Sequence, residues 1–246
     1  MILLSANTLI AININLGDTN RTDANGQKQG IWKEKVDRDE WIGNYINGLK
    51  EGSWITYHAT SKNVLVSKIF SYHNGLKNGI SIEVDRNGTM NKEEYYKNDT
   101  IDGPSRVYAY GGNLRSEVTY KMGKLDGIKR TFSSDNNKVQ EEGYYKNGMR
   151  NGIAKWYFSD GSLSLEQVYK NNNLEGEMKT FYKNGNINSQ GIYKNNELEG
   201  DYFEFYENGK VHLSGKYVKG KKEGIWKQYD EEGKIKQLKY KNDQLK

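Results

Sequence analysis

From residue 25 onward the chain is written in short runs where apolar or aromatic residues alternate with polar ones, and glycine interrupts each run. In Gly200–Tyr206, residues 201, 203 and 205 face one way and 202, 204 and 206 the other. Phe203 and Phe205 therefore share a face, and Tyr202 and Tyr206 share the opposite one. No 3.6-residue stripe persists, and Gly falls too often for a helix interior. The pattern predicts strands throughout.

The runs recur with a period. One glycine column holds Gly30, Gly52, Gly79, Gly103, Gly127, Gly152, Gly176, Gly200 and Gly224, with a usual step of 24 residues. A second column follows nine residues later at Gly88, Gly112, Gly161, Gly185, Gly209 and Gly233; the copy at Gly127 has one extra residue and places Asn137 there. A tyrosine column lies 17 residues after the junction Gly in most copies, from Tyr96 to Tyr217, with Tyr45, Tyr72 and Tyr240 slightly out of register. Three columns in phase over nine copies define a repeat protein.

Each column has a physical reading. Three residues after each Tyr stands only Gly, Asn or Asp, the residues that reach positive φ most easily, which predicts a tight turn. Asn-Gly at 87–88, 184–185 and 208–209 signals a hairpin. The junction Gly marks a bulge or close backbone approach between copies. Five residues after it comes an aromatic ladder, Tyr108, Phe132, Tyr157, Phe181, Phe205 and Tyr229. The expected fold class is all-β: an elongated single-layer antiparallel sheet of tandem β-hairpin repeats, about nine copies of 24 residues. Eighteen strands at ~4.8 Å spacing would extend roughly 85 Å. Single hairpins are marginal in water, so stability must come from stacking neighbours.

The domain division is 1–24, a leader or cap strand, and 25–246, the array; no further domain is expected after Leu245-Lys246. Ile10, Ile12, Ile14 and Leu16 alternate as a strand would, while the apolar start also fits an atypical or clipped signal. The compartment follows that choice: cytoplasmic by default, exported or envelope-associated if residues 1–16 act as a signal. The sequence around Ser61-Lys62-Asn63 reads as a longer hairpin loop.

Composition sharpens the picture. Hydrophobic residues make up 35% and mean hydropathy is −0.96, too polar for a thick core, yet 19 Tyr, 5 Trp and 6 Phe are too many for a disordered chain. A net charge of +5 from 37 basic and 32 acidic residues does not predict nucleic-acid binding. The absence of Cys excludes disulfides and thiolate metal sites.

No catalytic constellation emerges. His58, His73 and His212 occupy non-equivalent positions, no nucleophile elbow or phosphate loop occurs, and Asp37-Arg38-Asp39-Glu40 reads as a solvated turn. No cofactor or metal is implied. Lys97, Lys146, Lys170, Lys194 and Lys241 recur at one turn position, either for solubility or as a basic rim toward anionic lipid or an acidic partner. Functional residues are expected where copies differ. Trp32, Trp41, Trp54, Trp156, Trp226 and Tyr202 are the candidate partner-binding residues, along with the 59–64 insertion.

The pattern Tyr-Lys-Asn-Gly-x-x-x-Gly, as in Tyr145–Gly152, followed by an aromatic strand and Phe181-Tyr182-Lys183-Asn184-Gly185, resembles the MORN repeat, in the variant found in bacterial YwqK-type antitoxins. The resemblance covers about residues 25–246. It implies a β-hairpin array used for protein–protein contact, or in some MORN proteins for phospholipid contact, and the antitoxin kinship implies a toxin neutralised by binding. The expected function is a non-enzymatic protein–protein interaction module with an unidentified protein partner. The alternative is a phospholipid- or envelope-associated scaffold using the basic rim. The oligomeric state is left open, since unpaired sheet ends can pair.

Overall fold

A computed structural model describes residues 18–36, 39–59 and 64–246. Every regular element in these residues is a strand, and each strand is antiparallel to the next in the chain. The result is one sheet of 21 strand segments. Eighteen come from nine hairpins. The other three are Arg21–Thr22, Gln244–Leu245 and the split of one strand into Glu197–Leu198 and Gly200–Phe205 at Glu199. The expected fold class stands.

Residues 1–17, to which the cap-strand and signal readings attach, lie outside the described residues, as do 60–63 of the insertion and 37–38 of the acidic turn. Arg21 and Thr22 pair with Gln29 and Lys28, so the segment just before residue 25 adds a short strand to the first copy.

Two loop types alternate, one on each long rim. On the first rim, two residues after each strand take positive φ together, as in Asn147 (50°) and Gly148 (85°), or Asn195 (51°) and Asn196 (69°). This is the type I′ turn, whose twist matches the strands it joins. Met122 (48°) and Lys219 (49°) occupy the first turn position without the help of Gly or Asn. On the opposite rim the column Gly is left-handed, joined in one copy by a second such residue, Gly111 (87°) beside Gly112 (84°). Tyr182 N–H donates to Asn186 O (2.8 Å) and Gly185 N–H to Tyr182 O (3.0 Å), with Gly185 at φ 90°. In the irregular copy Asn137, at 56°, takes the glycine's place.

The I′ turns are also tied to one another. The second turn residue donates its N–H to a carbonyl at the preceding turn's exit, as Gly48 does to Lys28 (2.9 Å) and Asp243 to Lys222 (3.1 Å). A carboxylate just before the junction Gly accepts the first turn residue's N–H: Glu51 from Asn74 (2.9 Å), Glu175 from Asn195 (2.8 Å), Glu199 from Lys219 (2.7 Å). Where the second turn residue is Asn or Asp, its side chain accepts one bond more, as Asn172 Oδ1 does from Arg150 N–H (2.7 Å). The junction Gly is a bulge: pairing skips between Gly143 and Tyr145, opposite Asn151–Ile153. At Gly176 (φ 129°) a Cβ would come within 3.0 Å of Val168 Cβ, so only glycine fits.

The core sits on one side of the sheet. Cross-strand partners point the same way. One face carries the column Tyr residues and the residue two after each junction Gly. The large buried side chains Tyr45, Trp54, Met178 and Trp226 all belong to it. We call it the closed face. The other, open face is half-exposed along its length, with Ile55 its one buried hydrophobic residue among those described.

Candidate functional site

The closed face answers the question of the tryptophans. Trp54 and Trp226 are wholly buried, 0% exposed. Trp54 lies edge-on to Tyr45 (5.1 Å between centroids, 83°) and Tyr72 (6.4 Å, 76°), with Lys50 Nζ 3.9 Å above its ring. Trp226 repeats this with Tyr217 (5.1 Å, 86°), Tyr240 (6.1 Å, 75°) and Lys222 (4.3 Å). Space for each indole comes from the preceding strand. A Cβ on Gly43 would overlap Trp54, one on Gly215 would overlap Trp226, and one on Gly191 would stand 2.9 Å from Tyr202 Cδ2.

Trp54 and Trp226, expected as candidates from their irregular spacing, therefore sit in the core and not on an exposed surface. Their spacing reflects where glycine stands opposite, not where a surface is exposed. The sequence signal is Gly-x-Tyr, at Gly43, Gly191 and Gly215, followed by an aromatic two residues after the next junction Gly. The other candidates also lie on the closed face but are half-buried. Trp32 donates its indole N–H to Arg21 O and Gln29 O (both 3.1 Å). Trp41 stacks on Phe70 (5.4 Å, 24°), Arg150 lies 5.6 Å over Trp156, and Tyr202 leans on Tyr217 (5.3 Å, 88°). The six do not form one site: Trp32, Trp41 and Trp54 lie toward one end of the sheet, Tyr202 and Trp226 meet near the other (6.1 Å between centroids), and Trp156 stands apart from both groups.

Between the aromatic ends the closed face is built from small and polar groups. Ser81 faces Phe70, and Ser105 faces Glu94. Glu94 is 7% exposed, accepts from Tyr96 Oη (3.0 Å) and Ser105 Oγ (3.4 Å), and pairs with Lys92 (2.8 Å). Burial, reinforced by Glu94, pushes the Tyr96 phenol up to about 12. Burial, with Tyr202 and more distant carboxylates adding, does the same to Tyr217.

The open face was not foreseen as a surface in its own right, and it is banded. Its first band is the expected ladder, now seen as eight cross-strand pairs from Tyr57–Val66 to Tyr229–Ile235, half-buried along most of its length. A second apolar band, nearer the I′ turns, includes Ile80, Tyr95, Pro104, Ile128, Tyr144 and Ile153. Between them runs an ion ladder. Arg106 reaches Glu93 (3.3 Å) and Glu117 (2.9 Å); Arg130 reaches Glu117 (3.7 Å) and Glu142 (2.6 Å). The signal for this was present in sequence: Arg or Lys three after the junction Gly, Glu three before the column Tyr.

The I′ rim carries the recurrent lysines exposed, but Glu51, Asp126, Glu175, Glu199 and Glu223 stand among them, and Lys146 pairs with Asp126 (3.2 Å). The three histidines are engaged separately: His58 Nε2 with Val84 O (2.9 Å), His73 Nδ1 with Glu51 (2.9 Å), His212 Nδ1 with Glu204 (3.6 Å). Among the described residues no group of three His, Cys, Asp or Glu side chains is arranged to hold a metal ion.

Comparison with known proteins agrees with this geometry. The MORN repeat variant family matches four consecutive stretches, residues 150–171, 174–195, 198–219 and 222–242. A search of curated proteins finds no match. The repeat is a non-catalytic module associated with protein and membrane interaction. The matched stretches lie in copies with 24-residue steps, a spacing also held from Gly79 to Gly127, and the same turns and tyrosines continue back to Gly30 in the sheet. Residues 150–242 are four consecutive MORN-variant repeats.

Proposed function

We propose that the protein is a non-enzymatic docking scaffold that takes a protein partner on the open face of its sheet. The observation that carries this is the pair of half-exposed apolar bands, on which Tyr144 and Ile153 are 46% and 42% exposed, with Ile192 (51%) and Ile225 (56%) continuing the row as single apolar residues opposite Glu177 and Lys239. Contiguous exposed apolar surface on a soluble sheet marks an interaction site. The partner in the antitoxin form of this reading is a toxin, held by surface complementarity with no chemistry required. A tagged chain should recover a stoichiometric protein, and Ile192→Asp combined with Ile225→Asp should lose it while the far-UV spectrum is retained. Recovery of the same protein by the charged variant sinks docking on this face. The antitoxin form fails if co-expression does not rescue growth from the product of a neighbouring gene.

The exposed lysines of the I′ rim favour a second reading, attachment to anionic phospholipid. The interleaved carboxylates shrink its field, so binding to phosphatidylserine vesicles should be weak and vanish with added salt. Cosedimentation that persists in high salt, or none at low salt, removes it.

A further inference from the structure

The middle of the open face differs from its ends. Over the eight strands from Leu76–Val84 to Leu163–Lys170 both apolar bands are present, and the ion ladder lies between them. The ladder alternates in sign along the sheet, Glu93, Arg106, Glu117, Arg130, Glu142, each member held by a neighbour within the face. A partner of strong net charge gains nothing from such a pattern. Its best complement is the same alternation read in the opposite direction.

A second copy supplies that. Rotate one chain by a two-fold axis lying between the sheets and parallel to the strands. Each apolar band then meets its own counterpart, and the ladder meets itself reversed, with Glu opposite Arg when offset by one rung. A two-fold contact requires this kind of self-complementary patch. Eight strands at ~4.8 Å spacing, with the three bands spanning roughly 20 Å along the strands, present roughly 760 Å² per copy. A stable interface uses about 800 Å² per partner. Sheets stacked in this way bury their inner faces against each other, and the half-exposed Tyr108, Phe132 and Tyr157 would complete their burial.

We infer that the occupant of the middle of the open face is a second copy of this chain, packed face to face as a two-fold dimer. This rests on the docking reading above and specifies its partner for residues 80–168.

Sedimentation equilibrium of the full chain tests it. Wild type should show twice the 28.3 kDa chain mass. Tyr144→Asp with Ile153→Asp places carboxylates in the contact and should weaken association by roughly tenfold or more, since an unpaired buried charge is not tolerated there. Both positions are more than a third exposed in the monomer, so melting should stay cooperative. Ile225→Asp, equally exposed but outside the middle, should leave the dimer intact. A monomeric wild type overturns the inference, as does a Tyr144→Asp/Ile153→Asp variant that still dimerises, or an Ile225→Asp variant that dissociates as readily. The docking reading fails on different evidence: capture of the same foreign protein after the Ile192→Asp/Ile225→Asp change.

Discussion

Around Trp54 and around Trp226 the closed face is built twice in the same way, whereas between Ser81 and Lys129 it is built otherwise. At both ends an indole fills the space left by a facing glycine, two column tyrosines meet it edge-on and a lysine covers it. In the middle, serines face Phe70 and Glu94, and the open face carries the Glu–Arg ladder. The backbone devices are the same in both regions. What trades is side-chain volume across facing positions: large against none at Gly43/Trp54 and Gly215/Trp226, and small against large at Phe70/Ser81. The trade holds at these pairs across the I′ turns; Trp54 and Phe70, paired across the opposite rim, are both large, and Gly143 and Ala154 are both small.

The ends should contribute most to stability. Trp54→Ala or Trp226→Ala should cost about 3–5 kcal/mol in denaturant unfolding, against about 0.5–1 kcal/mol for Ser105→Ala, which loses one bond to Glu94. Equal losses would erase the difference between the regions. The pairing rule can be tested by rebuilding an end as a middle. Gly43→Phe alone should destabilise by about 1–3 kcal/mol through overpacking. Joined with Trp54→Ser, which copies Phe70/Ser81, it should cost at least about 1 kcal/mol less than the sum of the single changes. Additive losses would show that the facing pairs are independent.

The ladder is expected to matter less. Arg130→Met removes both ion pairs of a side chain that is 34% exposed, and should cost about 0.5–1 kcal/mol, falling as salt is added. A salt-insensitive loss would assign it to packing instead. Met122→Asn should raise stability by about 0.5–1 kcal/mol, because Asn accepts positive φ more readily than Met. No gain would mean that the stacked turns, not local preference, set this conformation.

Alkaline titration joins the two regions. Tyr96 in the middle and Tyr217 at an end are both raised from 10.0 to about 12. The folded chain keeps protons that the unfolded chain has lost, so their contribution is intact below pH 10 and disappears as pH passes about 12. Tyrosinate absorbance and unfolding followed together should show this, and Tyr96→Phe or Tyr217→Phe should flatten the slope.

Much of the fold was legible in the chain because turn geometry is a local demand. Gly, Asn and Asp stand three residues after each column Tyr, and each of these positions takes positive φ. The junction glycines fall at the bulges, and the ladder from Tyr108 to Tyr229 lies in one row. The candidate site was less legible. Trp54 and Trp226 stood out as irregular, but burial depends on Gly43 and Gly215 in the neighbouring strand, and periodicity within one column does not report on its neighbour.

By itself the sequence determined the period, the positions of turns and bulges, and the alternation that assigns each residue to one of two faces, because φ preferences and the two-residue strand period act within a few residues. Only the tertiary structure decided which face is closed, which tryptophans are core and which charges form a ladder. Those outcomes depend on register between strands, where a one-residue shift would exchange every facing pair.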